Sequence, residues 1–172
     1  IMINNRETSD QNSPIGRLEN TYSENQNFKI GFTHYRKNNF INFIAESYTM
    51  DYGIPPSLNF GHVNGVDIQL VKNSFEINYH HDVSFSYFNQ FDIKYNYIDY
   101  KHEEFEDESS NSTVTLSKKT YNIKAELQSL NSTIGTEFYY KQFLTSGYYF
   151  TPKTDDPNQF CALLVKSNSL LY

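Results

Sequence analysis

Strict alternation of apolar and polar residues is the feature that most constrains this chain. In FDIKYNY, Phe91, Ile93, Tyr95 and Tyr97 fall on one side of an extended backbone, and Asp92, Lys94 and Asn96 on the other. YNIKAEL repeats the pattern, with Tyr121, Ile123, Ala125 and Leu127 against Asn122, Lys124 and Glu126. FEINY sets Phe75, Ile77 and Tyr79 against Glu76 and Asn78, and FKIGF sets Phe28, Ile30 and Phe32 against Lys29 and Gly31. A period of two is the signature of a strand with two unlike faces, because successive side chains leave a pleated backbone in opposite directions. Helical spacing competes nowhere, so the chain reads as all-β, an antiparallel meander. Strands are expected at about 27–36, 39–50, 67–80, 89–102, 113–127, 132–143 and 159–171. Both faces of NFINFIAESYTM, Asn39 to Met50, carry apolar residues, so its faces stay unassigned.

These strands are long. Soluble strands run about five or six residues, whereas a tilted membrane strand needs about 9–11. The connections alternate in length too: KNN and QSLN are short and HDVSFSYF is intermediate, while DYGIPPSLNFGHVNG, EEFEDESSNS and TSGYYFTPKTDDPN are long. Tight turns at one end and long loops at the other is the layout of an outer-membrane barrel. It would put 1–26, 51–66, 103–112 and 144–158 outside the cell and the tight turns in the periplasm.

Composition fits such a wall better than it fits a packed core. Apolar residues make up 38% of the 172, yet aromatics reach 17%, almost entirely Tyr and Phe with no Trp. A net charge of −6 leaves no basic patch for nucleic acid. The single Cys161 excludes an intrachain disulfide and any multi-cysteine metal site. The first residues, IMINNRETSDQNSPIG, lack the charged and apolar regions of a signal peptide, and no apolar run is long enough for a spanning helix. Barrel strands need no such run, since half of each faces away from lipid. A soluble sheet with one wetted face gives the same alternation, so a soluble or surface all-β ligand-binding module is the alternative.

The segment GRLENTYSENQNFKIGFTHYRKNNFINFIAESYTMDYGIPP, Gly16 to Pro56, resembles the early barrel of TonB-dependent outer-membrane receptors. The elements that carry the likeness are Gly16-Arg17-Leu18 and Asp51-Tyr52-Gly53-Ile54-Pro55. HVNGVDIQLVKNSFEINYHHD and FDIKYNYIDYKHEEFE are similar to the loop and strand that follow in the zinc- and haem-uptake branch, and NQFCALLVKSNSLLY to an aromatic-Ala-Leu strand. The resemblance covers about residues 15–172 and lies in the order of several weak elements. It implies a location in the cell outer membrane and outer-membrane lipid as the surroundings. It also implies a small ligand, zinc, haem or siderophore-like, as transported cargo rather than resident cofactor. Such receptors close about 22 strands around a plug that contacts the TonB complex. Neither a plug domain nor that many strands is read here. The expectation is a partial barrel of about seven strands over 27–171, preceded by an extracellular loop over 1–26 and not closed alone.

For sites, the topology brings His62 and His102 to the extracellular side near Glu103 and Glu104. Histidine and carboxylate together suit transient capture of Zn²⁺. The plainer reading is a solvated acidic surface, since no HxH or HxxxH spacing supports a closed site. His80 and His81 fall on opposite faces near the periplasmic end, and His34 lies near a turn. Tyr148, Tyr149 and Phe150 form an aromatic tip that suits either contact with a hydrophobic ligand or an interfacial girdle. No GxSxG, HExxH or phosphate-binding glycine loop occurs, so no enzymatic activity is expected.

Overall fold

The computed structural model describes residues 1–57, 62–85, 87–106, 111–147 and 163–171. Among them every regular element is a strand. One antiparallel sheet contains β1 (Met2–Thr8), β4 (Ser23–Arg36), β5 (Asn39–Ile54), β6 (Val66–Phe85), β7 (Phe88–Glu106), β8 (Val114–Gln128), β9 (Thr133–Gly147) and β10 (Leu163–Leu171), in that spatial order. A small separate hairpin, β2 (Asn12–Ser13) with β3 (Gly16–Arg17), sits in the connection from β1 to β4. From β4 onward each strand pairs with the next in sequence, the pattern short hairpins impose. The six strands β4 to β9 are 14 to 20 residues long.

Connections at one end are tight: Arg36 pairs with Asn39, Phe85 with Phe88, and Ser129 N–H donates to the Ser132 carbonyl at 2.8 Å. At the other end the strands are joined by the longer connections that follow Thr8, Ile54, Glu106 and Gly147. The two ends are called below the turn end and the loop end.

Two differences from the sequence reading stand out. The segment 1–26, read as a loop, contains β1, which pairs with β4 from Met2↔Lys29 to Thr8↔Ser23 and raises the main sheet to eight strands. MINNRET shows no alternation because it is an edge strand held by backbone pairing, with all seven residues exposed. The strands also reach further toward the loop end than expected, to Ile54 on β5, Glu106 on β7 and Gly147 on β9.

The register assigns every face, including that of β5. One face carries Phe28, Ile30 and Phe32 of β4 beside Ile41, Phe43 and Ala45 of β5, then Phe75, Ile77 and Tyr79 of β6. It continues through Phe91 to Tyr97 on β7, Tyr121 to Leu127 on β8, and Phe138 and Tyr140 on β9. No second layer covers it among the described residues: Phe32 is 62% exposed, Ile123 45% and Ile134 62%. The opposite face is the sheltered one. Among the described residues, the buried strand positions Val66, Ile68, Val114, Thr120 and Thr145 point to it, all but the mid-strand Thr120 near the loop end.

The apolar character changes face partway up the sheet. On the exposed face, the row above Tyr97, Tyr121 and Tyr140 is Asn73, Asp99, Lys119 and Gln142. On the sheltered face, the turn-end half is amide and charged, with Asn42, Asn78, Lys94, Lys124 and Glu137. Its loop-end half is Tyr48, Met50, Leu70, Tyr100 and Leu116 around the buried valines and isoleucine. The small core therefore sits on the sheltered side at the loop end.

Candidate functional site

The turn-end half of the sheltered face is a polar ladder built by register. Asn42 donates to Thr33 Oγ1 at 2.6 Å, Asn78 to Glu76 Oε1 at 2.6 Å, and Asn27 to Glu46 Oε1 at 3.0 Å. Asn122 donates to Glu137 across the β8–β9 pair. Lys94 Nζ lies 3.3 Å from Glu76, and Lys124 Nζ 2.9 Å from Glu126. Near the turns, Asp92 gathers three neighbours. His80 Nδ1 lies 2.7 Å away, while Gln90 and Gln128 donate to its other oxygen at 2.7 and 3.2 Å. The second ring nitrogen of His80 is 3.2 Å from Asp82, and Phe40 stacks on the ring at 4.9 Å. A shallow cavity of about 260 Å³ opens here among Phe40, Asn78, His80, Asp92, Lys124 and Glu126. Some of these pairs cross to a neighbouring strand, as Asn42–Thr33, Asn27–Glu46 and His80–Asp92 do, and others join residues two apart on one strand, as Asn78–Glu76 and Lys124–Glu126 do.

The loop end is tied together by Asn20. It takes the left-handed conformation at φ 54°, and its amide donates to the Ile54 carbonyl at 3.0 Å and the Val66 carbonyl at 3.1 Å. Asparagine tolerates that conformation. A Cβ at Gly53 would collide with the Asn20 side chain, and one at Gly65 would lie 2.7 Å from the Ile54 carbonyl. Glycine at both positions thus lets 9–22 lie against the mouth of the β5–β6 loop. Beside it, Tyr22 donates to Asp67 at 3.1 Å. Burial, then the Asp67 charge, pushes that phenol up to about 12. Burial and then Glu24 raise the Asp51 carboxyl.

The residues expected to capture metal divide into separate pairs. His62 Nδ1 meets Glu106 at 2.9 Å, and His102 Nε2 meets Glu104 at 3.1 Å. Glu103 points to the exposed face and pairs with Lys101 at 2.8 Å, because adjacent strand residues face opposite ways. Among the described residues, no three His, Cys, Asp or Glu side chains come together closely enough to hold a metal ion. Tyr148, Tyr149 and Phe150 lie outside the described residues. His80 and His81 do face opposite sides, His81 stacking on Tyr79 at 6.2 Å. The Asp92 cluster escaped sequence reasoning because its members lie on three strands, and only the register makes Asp92 the direct neighbour of His80.

No protein-family model, curated protein or solved structure matches the chain.

Proposed function

We propose that this chain forms part of the wall of an outer-membrane β-barrel of the TonB-dependent receptor type, serving uptake of a small, scarce ligand. The observation that carries the reading is the exchange of apolar residues between faces along the strands. A strand crossing a membrane needs apolar side chains outward only over the hydrocarbon; beyond it the outer face meets water and the inner side can hold a core. The exposed band has that limit, closed toward the loop end by Tyr97, Tyr121 and Tyr140, whose rings sit 5.0 and 5.9 Å apart across three strands. At the turn end Tyr87 is 87% exposed. Ten residue steps separate Tyr87 from Tyr97, about 33 Å along a strand and about 25 Å once tilted by roughly 40°, the height of a barrel's lipid band.

The band also descends obliquely, from Phe28–Phe32 on β4 to Ile134–Tyr140 on β9, as it would on strands tilted to a membrane. Lipid accounts for an aromatic face that no second layer covers among the described residues. The polar ladder opposite accounts for a lumen. The receptor type and its small ligand rest on the resemblance of the sequence elements at Gly16 and Asp51. A soluble all-β binding module draws on the sheltered core alone and leaves the exposed face unexplained.

The test is folding of the full chain in the presence of phospholipid vesicles, read by flotation and by heat-modifiable gel migration. Vesicle-bound, heat-modifiable protein supports the wall. A dispersed monomer with a cooperative melt in plain buffer overturns it.

A further inference from the structure

One register row on the sheltered face alternates aromatic and cationic side chains across five consecutive strands. Tyr48 of β5 pairs with Lys72 of β6, Lys72 with Tyr100 of β7, Tyr100 with Lys118 of β8, and Lys118 with Phe143 of β9. All five are half-buried, and Lys118 Nζ stands 5.9 Å from the centre of the Tyr100 ring. The row lies where the polar ladder gives way to the loop-end core.

Its lysines differ from those below. Lys94 and Lys124 each have a carboxylate at hand, Glu76 and Glu126. Lys72 and Lys118 pair with no carboxylate among the described residues, nor does Lys141, diagonal to Lys118. That is notable in a chain with 20 acidic and 14 basic residues. A half-buried lysine with no carboxylate beside it leaves its charge without an ionic partner. Lys118 stands over the Tyr100 ring rather than against an acid, and Lys72 lies between Tyr48 and Tyr100 in the row.

We propose that this row binds a flat aromatic anion. The ring lies against Tyr100, and its acidic groups reach Lys72 and Lys118 on either side. Adjacent strands are about 4.8 Å apart, so the two lysines leave the backbone about 10 Å apart, the scale of a substituted aryl or bicyclic ring. Tyr48 and Phe143 close the row at its ends. Ring stacking and paired cations select together: a neutral aromatic lacks the charge, and an aliphatic dianion lacks the face. This names the ligand class of the uptake reading and rests on that reading for its purpose, though not for the binding itself.

The test titrates the full chain, folded in detergent micelles, with naphthalene-2,6-dicarboxylate, following the anisotropy of the probe's own fluorescence. Adipate and naphthalene-2,6-dimethanol serve as competitors lacking the ring and the charge. Saturable binding is expected, displaced by neither competitor. Lys72→Gln and Lys118→Gln should each weaken it about 10- to 100-fold, the worth of a charge-assisted contact. Lys94→Gln, on the same face about 20 Å further along β7, should leave it unchanged. Strand-rich circular dichroism in every variant shows that folding is intact. No binding by a natively folded chain overturns the proposal, as do row variants that bind as tightly as the unaltered chain, or displacement by adipate at equal concentration. Binding by a chain that ignores vesicles would sink the receptor reading and leave the site. A vesicle-inserted chain that ignores the probe would do the reverse.

Discussion

Placing an arginine at Ile123 separates a lipid-facing sheet from a water-facing one by magnitude. Ile123 is on the exposed face of β8, in the middle of the band between Tyr95 and Phe138, and is already 45% exposed. In water, Ile123→Arg gives up part of the remaining burial, and the aliphatic stem of arginine recovers some of it. The cost is about 0.5 kcal/mol, as for exposed positions generally. In hydrocarbon, a charge at mid-band costs about 2–4 kcal/mol, falling to about 0–1 near the interface. Ser117 provides the internal standard. It lies on the same face of the same strand about 20 Å toward the loop end, level with Val71 and Lys101 and beyond the tyrosine row. Ile123→Arg should therefore destabilise vesicle-folded protein by about 2–3 kcal/mol more than Ser117→Arg, roughly 30- to 160-fold in the folding equilibrium. Urea titration in vesicles, followed by circular dichroism and gel migration, reads the difference. Two variants within about 0.5 kcal/mol of each other would refute the reasoning.

Further expectations concern the loop end and the tyrosine row. Asn20→Ala loses two hydrogen bonds to carbonyls and leaves at φ 54° an alanine, which tolerates the left-handed conformation less well than asparagine, so it should cost about 2–4 kcal/mol. Asn20→Gly, which removes only the bonds, should cost less; a denaturant midpoint in the reverse order would contradict the conformational part. The Asp10 carboxylate accepts from Thr21 N–H at 2.9 Å and from Arg17 at 2.9 Å. Chiefly the Thr21 amide lowers its pKa below the ordinary 3.8. The stabilising contribution is thus complete above that value and lost as pH falls through the lower, folded one. The Thr21 amide resonance should follow this titration and become pH-independent in Asp10→Asn. Tyr121→Ala removes two ring contacts at once and should cost about 1–3 kcal/mol in a vesicle unfolding titration, where an isolated exposed tyrosine would cost under about 0.5.

Alternation made the central strands legible, and each of β4 to β9 overlaps a segment read from the sequence alone. It weakened where it inverts. On β7 the apolar positions run Phe91, Ile93, Tyr95, Tyr97 and then switch to Ile98 and Tyr100, and the strand expected over 89–102 crosses that switch but stops short of Glu103 to Glu106, whose charges read as loop. β5 was ambiguous because Phe40 and Ile44 face the sheltered side while Ile41 and Phe43 face outward. β1 was invisible because backbone pairing at an edge asks little of side chains. The site was less readable. His102 and Glu104 share a face because they are two residues apart, a relation spacing alone contains. The alternating Tyr48–Lys72–Tyr100–Lys118–Phe143 row depends on four registers at once, and nothing local in any strand announces it.

The most direct test of the central claim uses the absence of tryptophan from the chain. Ile123→Trp, Lys124→Trp and Ser117→Trp each introduce a single reporter, and lipids brominated in the acyl chain quench an indole they touch. The account predicts strong quenching and blue-shifted emission for Ile123→Trp, with neither for Lys124→Trp, one residue away on the sheltered face, nor for Ser117→Trp above the tyrosine row. Equal quenching of Ile123→Trp and Lys124→Trp, or none in either, would contradict a wall with lipid on one side and water on the other.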